Sequence, residues 1–269
     1  MEPFQHHVYQ KYSDFLYQAT GISIGEQKEH LLLTKLSRLL RKKQLDSADD
    51  YLKLLSQPGN KNDLQEFINM MTTNTTEFFR ENDHFDFLKN NIGYLLEQNP
   101  RIVKDRVIRV WSSACSTGQE PITLAIVLHE LLKQQIEVRI LATDISSQVL
   151  LKAMSGTYNQ TECLDIPSYY LQKYFEKQGE QMVVKDEIHR LVKYRLFNLM
   201  SPYHFRKGFD IIFCRNVMIY FDSETQQQLI DKFYPQLPPG GLFFLGHSES
   251  LINKRHSFKP VGHSIYVKA

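Results

Sequence analysis

Asn74, Thr76 and Arg80 stand in a polar stretch, Met71 to Glu81 (MTTNTTEFFRE), at the junction between a strand-free first quarter of the chain and the rest. Ligand clefts tend to form at such junctions. A second stretch, Val107 to Glu120 (VIRVWSSACSTGQE), runs from an apolar segment through the small residues Ser112 to Gly118 and ends on an acid, Glu120. A strand, a small loop and a helix in succession turn backbone N–H groups and a positive helix end towards a ligand. The loop is neither G-x-G-x-x-G nor a Gly-Lys-Ser/Thr phosphate loop, and alone it reads equally as a tight turn. Its partner is Asp144, which closes the apolar stretch VRILATD 26 residues after Gly118. An acid at the end of a second strand accepts hydrogen bonds from ribose hydroxyls. Loop and acid together point to a ribose-bearing ligand, of unspecified kind. Asn198, Cys214, Arg215 and Asn216 follow apolar segments, at strand ends where open α/β sheets bind ligands. His247, alone at a strand end, reads as structural rather than as a general base. No acid–base dyad or metal cluster stands out, and Cys115, Cys163 and Cys214 lack metal-ligand spacing.

The elements that must hold these groups follow from periodicity. Apolar residues at helical spacing (Phe4, Val8, Tyr12, Phe15, Leu16) predict a helix over 4–20, ended by Gly21. Helices follow over 26–43, 47–55 and 63–71. The second has Leu31, Leu32, Leu36, Leu39 and Leu40 on one side and Lys28, Lys35, Arg38, Arg41, Lys42 and Lys43 on the other. That basic side is either a solvated face or a docking face for an acidic partner. After a run of cap-forming residues, Glu77 to Arg80 is expected to start a helix that continues through Leu88. Strands over 107–111 and 138–144 alternate with helices over 122–132 and 147–155, the order of a largely parallel sheet. A short helix over 169–175 and strands over 182–184 and 191–197 suggest an antiparallel excursion at 164–197. The buried segment Phe209 to Phe213, a helix over 223–234, the turn Pro238-Pro239-Gly240-Gly241 and strands over 242–245 and 264–268 complete the chain.

The 269 residues suffice for one large or two smaller domains, and 42% hydrophobic with 12% aromatic residues is the composition of a folded protein. A formal net charge of +2 is too small to imply nucleic-acid binding. Three sparse cysteines suggest reduced thiols and a cytoplasmic location. No signal-peptide core or bilayer-length apolar run is seen.

TTNTTEFFRE, WSSACSTGQEP, ILATDIS, FNLM, FDIIFCRNVMIYFD and LPPGGLFFLGHSES occur in this order and spacing. Together they resemble the chemotaxis receptor methyltransferase family, CheR, over nearly the whole chain. The fold this implies is α/β: a Rossmann-like S-adenosylmethionine-dependent methyltransferase sheet, with a small N-terminal all-helical domain and a small antiparallel β-subdomain. The helical domain would span 1–71, an inter-domain segment contributing to the cofactor site 72–81, and the methyltransferase domain 82–269, with the β-subdomain at 164–197. The activity implied is esterification of glutamate side chains on the cytoplasmic helices of methyl-accepting chemoreceptors, giving glutamyl methyl esters and S-adenosylhomocysteine. An alternative is a signalling module of the same fold that binds the cofactor without turnover.

Carried over from the family, Asn74, Thr76 and Arg80 would close over the methionine end of the cofactor. Glu120 would bind its amino-acid part and Asp144 its ribose. Asn198 with Leu199, and Cys214 with Arg215 and Asn216, would flank the adenosine and the floor of the site. Arg80 and Tyr220 would be catalytic, orienting the acceptor carboxylate. A sulfonium methyl group is already activated and a glutamate carboxylate, with a pKa of about 4.3, is ionised near neutral pH. Alignment and water exclusion are then needed rather than a general base. Lys35, Arg38, Arg41, Lys42 and Lys43 would dock the glutamate-rich receptor bundle. Some family members also grip the receptor's C-terminal pentapeptide through the β-subdomain. Here EKQGE is short, with the single glycine Gly179, which suggests no tight pentapeptide site. No nucleic-acid partner, membrane insertion or obligate oligomer is expected.

Overall fold

The computed structural model describes residues 3–133 and 135–269; the side chain of Phe4, assigned above to the first apolar stripe, lies outside what it describes. Helices α1 (Pro3–Thr20), α2 (Glu29–Lys43), α3 (Ala48–Leu55) and α4 (Lys61–Met71) form a small all-α domain. Their apolar stripes close around Tyr12, Leu16, Leu32, Leu36, Leu39, Tyr51 and Phe67. Glu26–Lys28, expected as the first turn of the second helix, is a separate 3-10 turn. Leu31, expected on the apolar side of that helix, is half exposed.

Residues 72–82 cross to the second domain. The helix expected from Glu77 begins only at Asp83 (α5, Asp83–Gln98). Phe79 and Glu81 both sit at φ 55°, in the left-handed region that interrupts a helix. This kink sends neighbouring rings into different contacts. Phe78 packs edge-on to Tyr158 and Phe175, whereas Phe79 stacks on Tyr170. A short helix not anticipated from sequence, α6 (Pro100–Asp105), leads into the sheet.

The remaining elements are β1 (Val107–Ser112), α7 (Gln119–Leu132), β2 (Glu137–Asp144), α8 (Ser147–Ser155), β3 (Thr157–Asn159), α9 (Ser168–Tyr174), β4 (Phe175–Gln178), β5 (Gln181–Val184), α10 (Asp186–His189), β6 (Val192–Leu196), β7 (Ile211–Cys214), α11 (Ser223–Phe233), β8 (Leu242–Leu245), β9 (Phe258–Gly262) and β10 (Ile265–Lys268). Among the described residues the main sheet runs β6-β2-β1-β7-β8-β10-β9. Its first five strands are parallel, and β10 and β9 are added antiparallel. The small antiparallel sheet is β3-β5-β4. Strand β6, placed by sequence in the excursion, instead pairs parallel with β2 in the main sheet, with Ile140 opposite Val192. Thr157–Asn159, outside the expected 164–197 range, supplies the third strand of the small sheet.

Strand β1 is buried on both faces, as central parallel strands are. Ile108 and Val110 face a cluster with α5 and α7 residues. Trp111 faces a second cluster, where its ring meets Phe205, Phe209 and Phe233 and its indole N–H donates to Thr143 at 2.9 Å. The strand order reverses at β1, with β2 on one side and β7 on the other. That is the switch point at which open α/β sheets leave a crevice.

Two seams join the all-α domain to the sheet. Asn69 of α4 accepts from the Ser147 backbone N–H at 3.0 Å, and Gln65 donates to the Ile145 carbonyl at 2.8 Å. Across the crevice Ile22 bridges to Phe221, the Ser23 N–H donates to the Tyr220 carbonyl at 2.9 Å, and the Asn198 amide donates to the Ala19 carbonyl at 2.8 Å. No helix among the described residues is long and apolar enough to cross a membrane.

Candidate active site

Between these seams lies a cavity of about 220 Å³, walled by the all-α domain, the 72–80 segment and the carboxyl ends of the main strands. The turn after β1 forms its floor. Gly118, at φ 98°, ends that turn, where an added Cβ would stand 2.8 Å from the Tyr158 hydroxyl and 3.1 Å from the Ala153 backbone. Helix α7 begins at Gln119, and Pro121 is its third residue. Its missing N–H is still among the four that a helix leaves unpaired.

Asp144 is nearly buried. The Ser116 N–H donates to one of its oxygens and the Ser146 N–H to the other, each at 2.9 Å. Burial raises its pKa, against the pull of these backbone donors. Glu120, in the first turn of α7, accepts from the Ser112 hydroxyl at 2.7 Å and stands 3.5 Å from Arg215. Burial raises its pKa too, with Arg215 and Ser112 opposing. The Arg215 side chain is 2% exposed. It lies 5.6 Å from the rings of both Phe85 and Phe213, and donates to the Arg80 carbonyl and to Glu81 at 3.1 Å. Burial alone would raise the Glu81 carboxyl; Arg215, Asn216 and His247 hold it below the ordinary range. Glu249, nearly buried, accepts from the backbone N–H groups of Gly246, Asn216 and Ile219 and so fixes the turn after β7.

Of the residues singled out by sequence, Asn74, Thr76, Arg80, Glu120, Asp144, Asn198, Leu199, Arg215, Asn216 and Tyr220 all line this one cavity. The Asn74 carbonyl accepts from the Ser116 hydroxyl at 2.8 Å, tying the 72–80 segment to the floor. Arg80 donates to the Thr75 carbonyl at 3.2 Å. The Asn198 amide is committed to protein: besides donating to Ala19, it accepts from the Met200 N–H at 2.9 Å. Cys214 does not line the cavity. Alternation along β7 sends Ile211 and Phe213 to one cluster and Ile212 and Cys214 to the other, so its thiol points into the core. Burial raises the Cys214 and Cys115 thiols well above their ordinary value, which keeps both as neutral thiols.

The basic face of α2 divides. Lys42 and Lys43 pair with Glu66, and Lys43 also with Asp63 at 2.7 Å, all within the all-α domain. Lys35 lines the cavity and donates to the Met71 and Thr72 carbonyls, its pKa lowered by burial. Arg38 and Arg41 are exposed.

Glu81 and Glu249 were missed by sequence reasoning. Glu81 lies inside the quoted TTNTTEFFRE, next to Arg80, but nothing in the spacing marks it as the partner of a residue 134 positions away. Ile22, Ile24, Leu31 and Leu32 also line the cavity, from a domain read as separate from the site.

The charges segregate by depth. Among the lining charges the deeper ones, Asp144 and Glu120 beside Arg215, are acid-rich, whereas the more exposed Lys28, Lys35 and Arg80 against Glu77 are base-rich. A buried wall with more carboxylates than cations suits a ligand that brings positive charge and a ribose. A basic mouth suits an acidic second substrate.

Comparison with known proteins agrees with this arrangement. Residues 74–267 match the family model described as the SAM-binding domain of CheR methyltransferase, and residues 7–72 match its all-alpha domain. The chain is 38% identical to the chemotaxis protein methyltransferase of Borreliella burgdorferi, over 88% of this chain and 85% of that protein. It is also 38% identical to chemotaxis protein methyltransferase 2 of Pseudomonas aeruginosa (97% and 92% covered), and 36% identical to the chemotaxis protein methyltransferase of Escherichia coli (96% and 89%). With both domains matched in order along nearly its whole length, the chain belongs to the CheR methyltransferase family, whose larger domain binds S-adenosylmethionine.

Proposed function

We propose that this chain methylates glutamate side chains of methyl-accepting chemotaxis receptors, giving glutamyl methyl esters, and that it does so in the cytoplasm as a single chain. The observation that carries this reading is the depth-ordered charge of the cleft: carboxylates in excess below, cations in excess at the mouth. S-adenosylmethionine supplies an activated methyl group on a sulfonium, and carries positive charge and a ribose diol. Those features match a buried wall in which burial disfavours the ionised forms of Glu120 and Asp144, since an incoming cation favours those forms again.

In this reading Asp144 accepts hydrogen bonds from the ribose hydroxyls with the lone pairs its two backbone donors leave free. Glu120 pairs with the ammonium of the amino-acid part, while Asn74 and Thr76 close the methionine end. Leu199 covers the adenosine. Asn198 acts through its bond to α1, and Cys214 through its backbone alone, since neither side-chain group is free to face the ligand. Arg215, held by Glu81, forms the fixed floor with Asn216. At the mouth Arg80 and Tyr220 orient the acceptor carboxylate, which attacks in its ordinary ionised state, so no residue need abstract a proton.

Receptor docking falls to Arg38 and Arg41, the two exposed cations of the α2 face without a carboxylate partner among the described residues. Lys42 and Lys43 act within the domain, and Lys35 acts inside the cleft. The β4–β5 connection is a two-residue turn, Gly179-Glu180, with Gly179 at φ 63°. It offers little to grip a peptide, which supports an enzyme that needs no pentapeptide tether.

The test is transfer of labelled methyl from S-adenosylmethionine to chemoreceptor-bearing membranes, with Arg80→Ala beside the wild type. Base-labile label on the receptor, lost in the variant, is the expected result. Cofactor binding without transfer would replace this reading by that of a cofactor sensor.

A further inference from the structure

Outside the lining of the cavity, within reach of Glu81, three side chains from three elements converge. Asp83 opens α5, His247 follows β8, and His263 lies in the turn between β9 and β10. The His247 Nε2 stands 2.9 and 3.0 Å from the two Asp83 carboxylate oxygens. The His247 and His263 rings are 4.6 Å apart between centroids. One ligand atom from each of the three lies within 4.8 Å of the others.

We propose that Asp83, His247 and His263 bind a divalent transition-metal ion of the zinc class, with water completing the coordination. Two imidazoles and a carboxylate are donors zinc accepts, at about 2.0–2.2 Å each. Tetrahedral donors at that distance are a little over 3 Å apart, close to the His247–Asp83 spacing already present. Calcium or magnesium would need oxygen donors that two imidazoles do not provide.

The backbone beneath the site is fixed from several directions. Glu249 anchors the Gly246 N–H at 2.7 Å, the Ser264 hydroxyl donates to the Glu249 carbonyl at 3.1 Å, and the His84 Nε2–H donates to the His263 carbonyl at 3.2 Å. All three ligand side chains are exposed, so small rotations suffice for closure. An inner alternative, Glu81 with His84 and His247, also lies within reach. There the Glu81 carboxylate already accepts from Arg215 and Asn216, and the guanidinium repels a cation. A metal at the outer site would staple the start of α5 to both loops of the β8–β10 corner. Asp83 is two residues from Glu81, so the staple would brace the outer side of the wall that holds Arg215.

The test uses the untagged, metal-free chain, titrated with Co2+ by visible absorption and with Zn2+ by calorimetry. One equivalent of Co2+ should give the intense bands of a tetrahedral site, and Zn2+ should displace it. His263→Ala, His247→Ala and Asp83→Asn should each weaken Zn2+ binding by at least about tenfold. A variant with both His6 and His7 replaced by alanine should bind as the wild type does. Absence of the bands overturns the proposal, as does their survival in His263→Ala or their loss on replacing His6 and His7. Circular dichroism of each variant confirms that any lost binding is not lost fold.

Discussion

Replacing Glu81 by glutamine removes one of the two carboxylates that neutralise the buried Arg215. Arg215 donates to Glu81 through Nε at 3.3 Å and Nη2 at 3.1 Å, and its Nη1 lies 3.5 Å from Glu120. Removing one partner of a buried ion pair costs about 3–5 kcal/mol. Glu120 stays in place and glutamine keeps one acceptor oxygen, so the expected loss is nearer 2 kcal/mol. With a urea m-value of about 3 kcal/mol/M, that lowers the unfolding midpoint by roughly 0.7 M. The double variant Glu81→Gln/Glu120→Gln leaves the guanidinium without either carboxylate and should lose more than the two single losses combined, since all three groups share one network. The folded-state pKa of Glu81 is depressed below 4.5, so its contribution is present above that value and is lost as pH falls through the lower folded value. Wild type and Glu81→Gln should therefore converge in strongly acid solution. Glu120 and Asp144, with raised values, act oppositely: their contribution is complete below the ordinary carboxylate range and is lost as pH rises through their folded values. A midpoint shift under about 0.2 M for Glu81→Gln, or a double variant no less stable than either single one, would refute the view that Arg215 is held by both carboxylates.

Asp144→Ala removes the acceptor proposed for two ribose hydroxyls. At about 1.5 kcal/mol for each bond to a charged group, calorimetry should show S-adenosylmethionine binding weakened at least about 100-fold. Gly118→Ala forces a side chain into φ 98° and against Tyr158 and Ala153. It should cost about 1–3 kcal/mol in urea unfolding and weaken cofactor binding as the floor shifts. Reversing both exposed docking cations, Arg38→Glu with Arg41→Glu, should slow receptor methylation and flatten its salt dependence while leaving cofactor affinity unchanged. Lys42→Glu should instead act mainly on stability, because Lys42 pairs with Glu66; a methylation rate that responds to Lys42 as strongly as to Arg38 would contradict the division of the α2 face.

Strands β1, β2 and β7, which carry much of the cavity, were legible because each is an apolar-rich run closed by a polar residue, and Asp144 and Arg215 fall where two of them stop. The start of α5 was not. TTEFFRE has the caps and the apolar spacing of a helix start, and no residue in it is a glycine that would announce the positive φ of Phe79 and Glu81. Those two conformations are imposed by packing of Phe78 and Phe79 against distant rings and by the distant Arg215. Strand β6 was misassigned for a related reason: local pattern identifies a strand but not the edge it joins, and β6 completes β2 rather than the nearby hairpin. Cys214 was open to correction from sequence alone, because the two-residue period of Ile211 to Cys214 already sets its thiol opposite Phe213. The division of the basic face needed Asp63 and Glu66 on α4, whose register against α2 is a tertiary fact.

The seams on either side of the crevice bear on how such chains can be recombined. Asn69 serves as a cap for α8, a helix of the other domain, and the end of α1 is fastened by Asn198. Neither domain carries its own complete set of hydrogen-bond partners. A chimaera that joins the all-α half of one relative to the sheet of another must therefore inherit Asn69 together with Ser147, and Asn198 together with the α1 terminus, or leave the Ser147 N–H and the Ala19 carbonyl without these partners. The two halves are separate in outline but are inherited as one unit.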